Sequence, residues 1–375
     1  MIPLGRPSIT ADDLEAVTAA LTSGRLTQGT QVAAFEAELA ELVGVGHAVV
    51  VSSGTAALAV SLAALGVGRG DRVIVPAYSW VATANVVELA GATPVFVDID
   101  PDTFGIDPPY LATVIEGLAE QDQLASVRAI LPVHVFGYVA EMEEIVAMGD
   151  SAGIPVIEDA ACALGASLSG RPAGSIGAAG CFSFHPLKVV TTGEGGAITT
   201  DDPDFAEFAR TYRNHGQSLA GGERTFEMAG PNLRMTDFQA ALGRSQLARL
   251  GSMLDERHDL FERYHVLLSG LPLRCQSYDR TRTTGQVFTV LLNQPEVRPD
   301  VLTLLRDFGI EAATGTIAMP FTRHFSRRYH LSESDLPVTA AVDRSAVSLP
   351  LYNGMTHQEQ DLVVTALEKA LDGSS

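Results

Sequence analysis

Of the 25 lysine and arginine residues in this 375-residue chain, only two are lysines, Lys188 and Lys369. Lys369 lies among polar residues near the end of the chain and reads as a solvated surface charge. Lys188 ends an apolar run, Cys181-Phe182-Ser183-Phe184-His185-Pro186-Leu187, and precedes the turn Thr191-Thr192-Gly193-Glu194-Gly195-Gly196. An amine and a guanidinium are not interchangeable, because only the amine forms an imine with a carbonyl and exchanges protons near neutral pH. A chain that uses arginine almost everywhere and keeps an amine here is expected to use it chemically.

Two further segments could serve such a site. Ser52-Ser53-Gly54-Thr55-Ala56-Ala57-Leu58 is a small-residue turn from a strand into a helix. Free amide groups at a helix start, together with the helix dipole, attract an anion such as phosphate. The same segment also serves as an ordinary capped turn, and the residues by themselves leave both readings open. Val156-Ile157-Glu158-Asp159-Ala160-Ala161 ends an apolar strand with two acids, at the strand end where α/β proteins bind ligands. One carboxylate there could keep a nitrogen heterocycle protonated; a helix-capping Asp is the alternative.

The elements that position these residues are legible from pattern. Residues 9–23 predict a helix with Thr10 as its N-cap, and 30–43 a second helix. Short apolar runs at 47–52, 71–76, 93–99, 129–134, 154–159, 180–184 and 196–200 read as strands. Helical stretches alternate with them at 53–65, 82–90 and 140–152. Fully apolar strands alternating with helices predict a mostly parallel sheet covered on both faces. Beyond about residue 240 the texture changes to one long helix over 237–268, a strand at 286–292, a helix at 301–308, a short strand at 345–349 and a last helix at 358–371. The reading is an α/β fold with a large domain over 1–249 and a smaller α/β domain over 250–375, the first 25 or so residues packing on the smaller one.

Composition narrows the partners. Hydrophobic residues make up 46% of the chain and charged ones 19%, enough for a sizeable globular core. A formal net charge of −20 repels phosphate backbones and argues against nucleic acid. Cys162, Cys181 and Cys275 show neither metal-ligand spacing nor a disulfide framework. No metal site, leader segment or membrane helix of roughly 20 apolar residues is expected, and the expected location is cytoplasmic.

Taken together in order, SSGTAAL at 52–58, PAYSWVATAN at 76–85, PVFVDID at 94–100, PVHVFG at 132–137, IEDAA at 157–161, FSFHPLK at 182–188, GEGGAI at 193–198, GPNLRMTDFQAALG at 230–243 and LPLYNGMT at 349–356 resemble the DegT/StrS family of sugar aminotransferases. These depend on pyridoxal 5'-phosphate (PLP) and have the aspartate-aminotransferase-like fold. The resemblance implies that Lys188 holds PLP as a Schiff base and shuttles a proton, and that Asp159 pairs with the pyridine nitrogen. It implies that Trp80, the only tryptophan, stacks on the ring, and that Thr55, Ala56 and Ser183 hold the phosphate. Asn232 matches an asparagine that reaches the phosphate of a neighbouring subunit, which implies a homodimer with shared active sites.

The activity implied is transfer of an amino group from glutamate or glutamine to a keto-sugar, with nucleotide-linked 3- or 4-keto-sugars leading, in amino-sugar, antibiotic or surface-glycan biosynthesis. A keto-cyclitol acceptor is the alternative, as is a dehydratase or other PLP enzyme of the same fold. Relatives that dehydrate carry histidine in place of the lysine, so Lys188 argues against that chemistry. Two features depart from the family pattern. Cys162 stands where many relatives have Gln or His, and Ala313–Pro320 lacks their aromatic and His residues.

Overall fold

The computed structural model describes residues 1–220 and 223–372. Its centre is formed by β1 (His47–Val51), β2 (Arg72–Pro76), β3 (Thr93–Val97), β4 (Val127–Ile130), β5 (Ile157–Asp159), β6 (Ala179–Ser183) and β7 (Gly196–Thr200). Two ladders, β1-β7-β6-β5 and β3-β2-β4, meet through parallel bridges between Ile130 and Val156 and between Val133 and Asp159. The combined order is β1-β7-β6-β5-β4-β2-β3. Strand β7 runs antiparallel to both neighbours and the remaining pairs are parallel. Six strands therefore deliver their carboxyl ends to one edge.

The apolar strands feed two cores because successive side chains point to opposite faces. Val50, Ile74 and Ile130 pack on one side with Phe35, Leu39, Leu111 and Ile145. Val49, Val51, Val73, Val75 and Ile157 pack on the other with Leu58, Leu62, Val86 and Phe205. This two-sided burial explains why the strands read as unbroken apolar runs instead of alternating ones.

A third core surrounds an antiparallel sheet of β8 (Leu273–Cys275), β9 (Phe288–Leu292) and β10 (Ala346–Leu349), with β9 in the middle. Helices Leu250–Leu267, Arg298–Asp307 and His357–Asp372 cover it with Phe261, Tyr264, Val301, Leu305, Val363 and Leu367. Ile2 joins this core, bridging to Ile310. Helix Ala11–Thr22 instead lies on the large-sheet side. Its Asp13 is fully buried and accepts from Ser245 Oγ at 2.7 Å and Arg249 Nη2 at 2.9 Å. Among the described residues no helix is long and apolar enough to cross a membrane.

Two expectations shift in detail. The helix expected over 237–268 is two helices, Asp237–Leu247 and Leu250–Leu267. The break falls at Arg249 (φ −117°, ψ 11°), whose guanidinium is drawn to Ser8 and Asp13. Helices Pro108–Glu120 and Pro203–Tyr212 add to the elements expected.

Candidate active site

Strand β5 ends at the carboxyl edge with two consecutive acids, which the pleat sends in opposite directions. Glu158, fully buried, accepts from the amides of Gly174 at 2.9 Å, Ile176 at 2.7 Å and Gly177 at 2.8 Å. It also meets Nε2 of the fully buried His134 at 3.0 Å. The His134 Nδ1 accepts from the Ala140 amide at 3.2 Å, so the ring proton sits on Nε2 and is donated to Glu158. Burial acts to raise the Glu158 carboxyl; the His134 hydrogen bond and the amides outweigh it and hold the group below the usual carboxylate range.

Asp159 is 4% exposed. Its Oδ2 accepts from Thr83 Oγ1 at 2.8 Å and its Oδ1 from the Ala161 amide at 3.3 Å. Burial pushes its carboxyl above the usual range; the Thr83 and Ala161 hydrogen bonds and the charge of Lys188 pull it back only in part.

Lys188 is half-buried, and its Nζ donates to Cys162 Sγ at 2.8 Å. Cys162 lies three residues past Asp159, so the amine comes to the segment that carries the carboxylate. The chain at 284–286 secures both partners. Thr284 Oγ1 donates to the Cys162 carbonyl at 2.8 Å, and Gln286 Nε2 donates to the Leu187 carbonyl.

The turn after β1 starts helix Gly54–Ala64, with Ser53 as its N-cap. A Cβ on Gly54 would stand 2.7 Å from Ser183 Cβ and 3.2 Å from Ser183 Oγ, so the helix start rests directly on the end of β6. Ser183 thus meets the Gly54 backbone, and the exposed Thr55 follows in the first turn of the helix. Ala56 differs in one respect from the sequence-based expectation: its amide already donates to Ser53 Oγ at 3.1 Å. Trp80 follows β2 and is 66% exposed; the preceding Ser79 hydroxyl lies 3.2 Å from that of Thr83. Asn232 is exposed, and its Oδ1 accepts from the Arg234 amide at 3.4 Å. The next carbonyl, of Leu233, accepts from Ser52 N at 2.9 Å, so this segment lies beside the turn that opens helix Gly54–Ala64. The helix that follows is capped by Thr236 with Gln239, not by Asn232.

Pattern reading gives no role to Ser79, Thr83 and His134, and takes Ser53 only as part of a capped turn, whose N-cap it is. The Ser53 signal, a small hydroxyl residue directly before a helix, was present in the sequence.

A half-buried lysine amine, a buried carboxylate and a hydroxyl-bearing helix start at the carboxyl edge of this seven-stranded sheet accompany an aspartate-aminotransferase-like fold. The model of the DegT/DnrJ/EryC1/StrS aminotransferase family matches residues 7–368, and the chain belongs to that family. It is 34% identical to the spore coat polysaccharide biosynthesis protein SpsC of Bacillus subtilis, over 100% of this chain and 98% of that one. Among solved structures, the PMP-form of the putative sugar aminotransferase Spr1654 from Streptococcus pneumoniae superposes with a TM-score of 0.91 at 28% identity, covering 100% of this chain and 99% of that chain. Helicobacter pylori PseC, an aminotransferase involved in the biosynthesis of pseudoaminic acid, superposes with a TM-score of 0.92 at 26% identity, covering 99% of each chain.

Proposed function

We propose that this aminotransferase uses PLP to move an amino group from glutamate or glutamine to a keto-sugar, a nucleotide-linked 3- or 4-keto-sugar foremost, and that it works as a cytoplasmic homodimer in amino-sugar, antibiotic or surface-glycan biosynthesis. The observation that carries this reading is the Lys188–Cys162 contact, which brings the amine to the segment of the buried Asp159. The sugar pathways of SpsC and PseC support the acceptor class.

The residues present fit the cofactor. Gly54 leaves space over Ser183 that a side chain would fill, and a helix N-terminus opens onto it, as a phosphate requires. Asp159 is a buried acceptor with one strong donor, suited to a cationic ring nitrogen. Trp80 offers an exposed aromatic face. Bound PLP supplies a carbonyl that condenses with amines and a protonated ring that takes up the electron pair left when a substrate C–H bond breaks.

The chain's own residues do the rest. The Lys188 amine would hold the cofactor carbonyl, and as a free amine beside the substrate carbon it would serve as general base for the proton there. It returns a proton in the second half-reaction, when the keto acceptor is aminated. Asp159 holds the ring nitrogen protonated, and Thr55, the Gly54–Ala56 turn and Ser183 hold the phosphate against the chain's negative field. Asn232, exposed beside the turn before helix Gly54–Ala64, would reach the phosphate of a partner subunit's cofactor.

Borohydride reduction of the holoprotein followed by peptide mass spectrometry tests the centre of the reading: the phosphopyridoxyl group is expected on Lys188, and its absence there overturns the proposal. A panel of nucleotide keto-sugars and keto-inositols, offered with glutamate and with glutamine, then identifies acceptor and donor.

A further inference from the structure

Thr83 lies at the second position of helix Ala82–Leu89. Ser79, Thr83 and Asp159 form a run of three buried polar side chains, 4%, 1% and 4% exposed. Thr83 Oγ1 stands 2.8 Å from Asp159 Oδ2, and Ser79 Oγ stands 3.2 Å from Thr83 Oγ1. An ionised carboxylate only accepts, and a hydroxyl has one proton to give. Thr83 therefore donates to Asp159, and in the remaining contact it accepts from Ser79. The polarity is fixed as Ser79 to Thr83 to Asp159. Ser79 itself is set by its pairing with Ile317 in a two-residue ladder, and it immediately precedes Trp80.

We infer that Thr83 is a positioning residue of the cofactor site, one whose hydroxyl fixes the orientation of the Asp159 carboxylate and keeps it ionised for a cationic ring nitrogen. The inference rests on the reading of Asp159 as the partner of that nitrogen. A carboxylate in so buried a place takes up a proton unless donors stabilise its charge, and the neutral acid cannot hold a pyridinium. The Ala161 amide, at 3.3 Å, is the weaker of the two donors, so the Thr83 hydroxyl carries most of this stabilisation. Donation from Ser79 polarises that hydroxyl and strengthens it in the low-dielectric interior. Asp159 also meets the first turn of helix Ala82–Leu89, whose dipole favours an anion.

The test uses Thr83→Val, which removes the hydroxyl at nearly constant volume, Thr83→Ser, which keeps it, Ser79→Ala and Asp159→Asn. PLP dissociation is measured by equilibrium dialysis, and the visible absorbance band is recorded for each holoprotein. Thr83→Val is expected to bind PLP about tenfold more weakly, the worth of a hydrogen bond to a charged group, with a displaced band. Thr83→Ser is expected to restore both, and Ser79→Ala to weaken binding by less than Thr83→Val. Wild-type affinity and band in Thr83→Val, alongside loss of affinity in Asp159→Asn, overturn the role of Thr83 alone. Wild-type affinity in Asp159→Asn overturns the reading of Asp159 and the inference with it. Should Thr83→Val fail to fold, Ser79→Ala decides, and wild-type affinity and band there overturn the relay.

Discussion

Lys188 Nζ and Cys162 Sγ stand 2.8 Å apart, so the one lysine at the carboxyl edge of the sheet is held by a thiol three residues beyond the buried Asp159. This geometry gives the amine a fixed direction while leaving it half-exposed to an incoming carbonyl. Lys188→Ala and Lys188→Arg are both expected to lose the visible absorbance of the PLP-loaded enzyme and its borohydride-fixed adduct. Turnover is expected to fall by about 10²–10⁴-fold, the usual worth of a positioned general base. The arginine variant matters because it keeps the charge: full turnover in Lys188→Arg shows that charge alone was required.

The same contact makes Cys162 a reporter. Cys162 is half-buried and Cys181 is 1% exposed, its thiol pushed far up by burial. Iodoacetamide at pH 8 is expected to label Cys162 and to spare Cys181. Loading with PLP crowds the Lys188 amine and its thiol neighbour, so labelling at Cys162 is expected to slow. Equal labelling rates with and without PLP, read by peptide mass spectrometry, count against a cofactor carbonyl next to this pair.

Gly54 opens the helix that is proposed to hold the phosphate, and it has no room for a side chain. A methyl group there meets Ser183 Cβ at 2.7 Å and Ser183 Cα at 3.3 Å, and Ser183 sits in a strand paired on both sides, so neither partner yields easily. Gly54→Ala is expected to cost about 1–3 kcal/mol of overpacking and to weaken PLP binding together with inorganic phosphate competition. A thermal melt separates the first effect from the second, and unchanged phosphate competition in a folded variant removes this turn from the site.

Much of this was legible in the chain, for identifiable reasons. The strands of the large sheet are buried on both faces, so their apolar runs stood out; Lys188 stood out against a background of arginine. Helices Pro108–Glu120 and Pro203–Tyr212 begin at Asp-Pro steps whose aspartates, Asp107 and Asp202, cap the following amides. That signal is local and readable, yet weaker than the apolar runs beside it. The break at Arg249 has no proline to announce it, and Gly251 two positions on is itself helical; the Arg249 guanidinium meets Ser8 and Asp13 near the other end of the chain. The same holds for Thr83 and Asp159, 76 positions apart. Only the strand order, which sets β4 between β2 and β5, brings them together.

Glu158 should govern acid stability while its neighbour governs binding. Its carboxyl is held below its ordinary value of 4.5 in the folded chain. As pH falls below 4.5 the unfolded chain takes up this proton first, so the contribution of Glu158 is complete above that pH and is lost as pH drops through the folded value. Glu158→Gln places an amide donor against the Gly174 amide or His134 Nε2–H, both donors already. It is expected to cost about 3–5 kcal/mol at neutral pH, the penalty for breaking a buried polar pair. It is also expected to flatten the pH dependence of stability below pH 4.5. Urea unfolding across pH 3–7 checks both, and an unchanged acid limb in Glu158→Gln assigns that limb to other carboxylates.

Asp159 carries the opposite sign. Burial raises its carboxyl above 3.8 in the folded chain, so over the window upward from 3.8 the unfolded chain binds fewer protons than the folded one and stability falls as pH rises. At neutral pH the cofactor-free protein therefore holds this charge at a cost, as functional sites often do. Asp159→Asn removes the charge, and with its oxygen turned to the Ala161 amide its NH2 can donate to Thr83 Oγ1, so both contacts survive. The apo variant is expected to melt higher than the apo wild type at pH 7, with the gap closing near pH 4. Added PLP is expected to raise the melting temperature of the wild type much more than that of the variant, because stabilisation by a ligand scales with the logarithm of its concentration over its dissociation constant. The two shifts run in opposite directions, so a general loss of packing cannot imitate them. An apo variant that melts lower at pH 7, or one that gains as much from PLP as the wild type, removes Asp159 from the role of the ring nitrogen's partner.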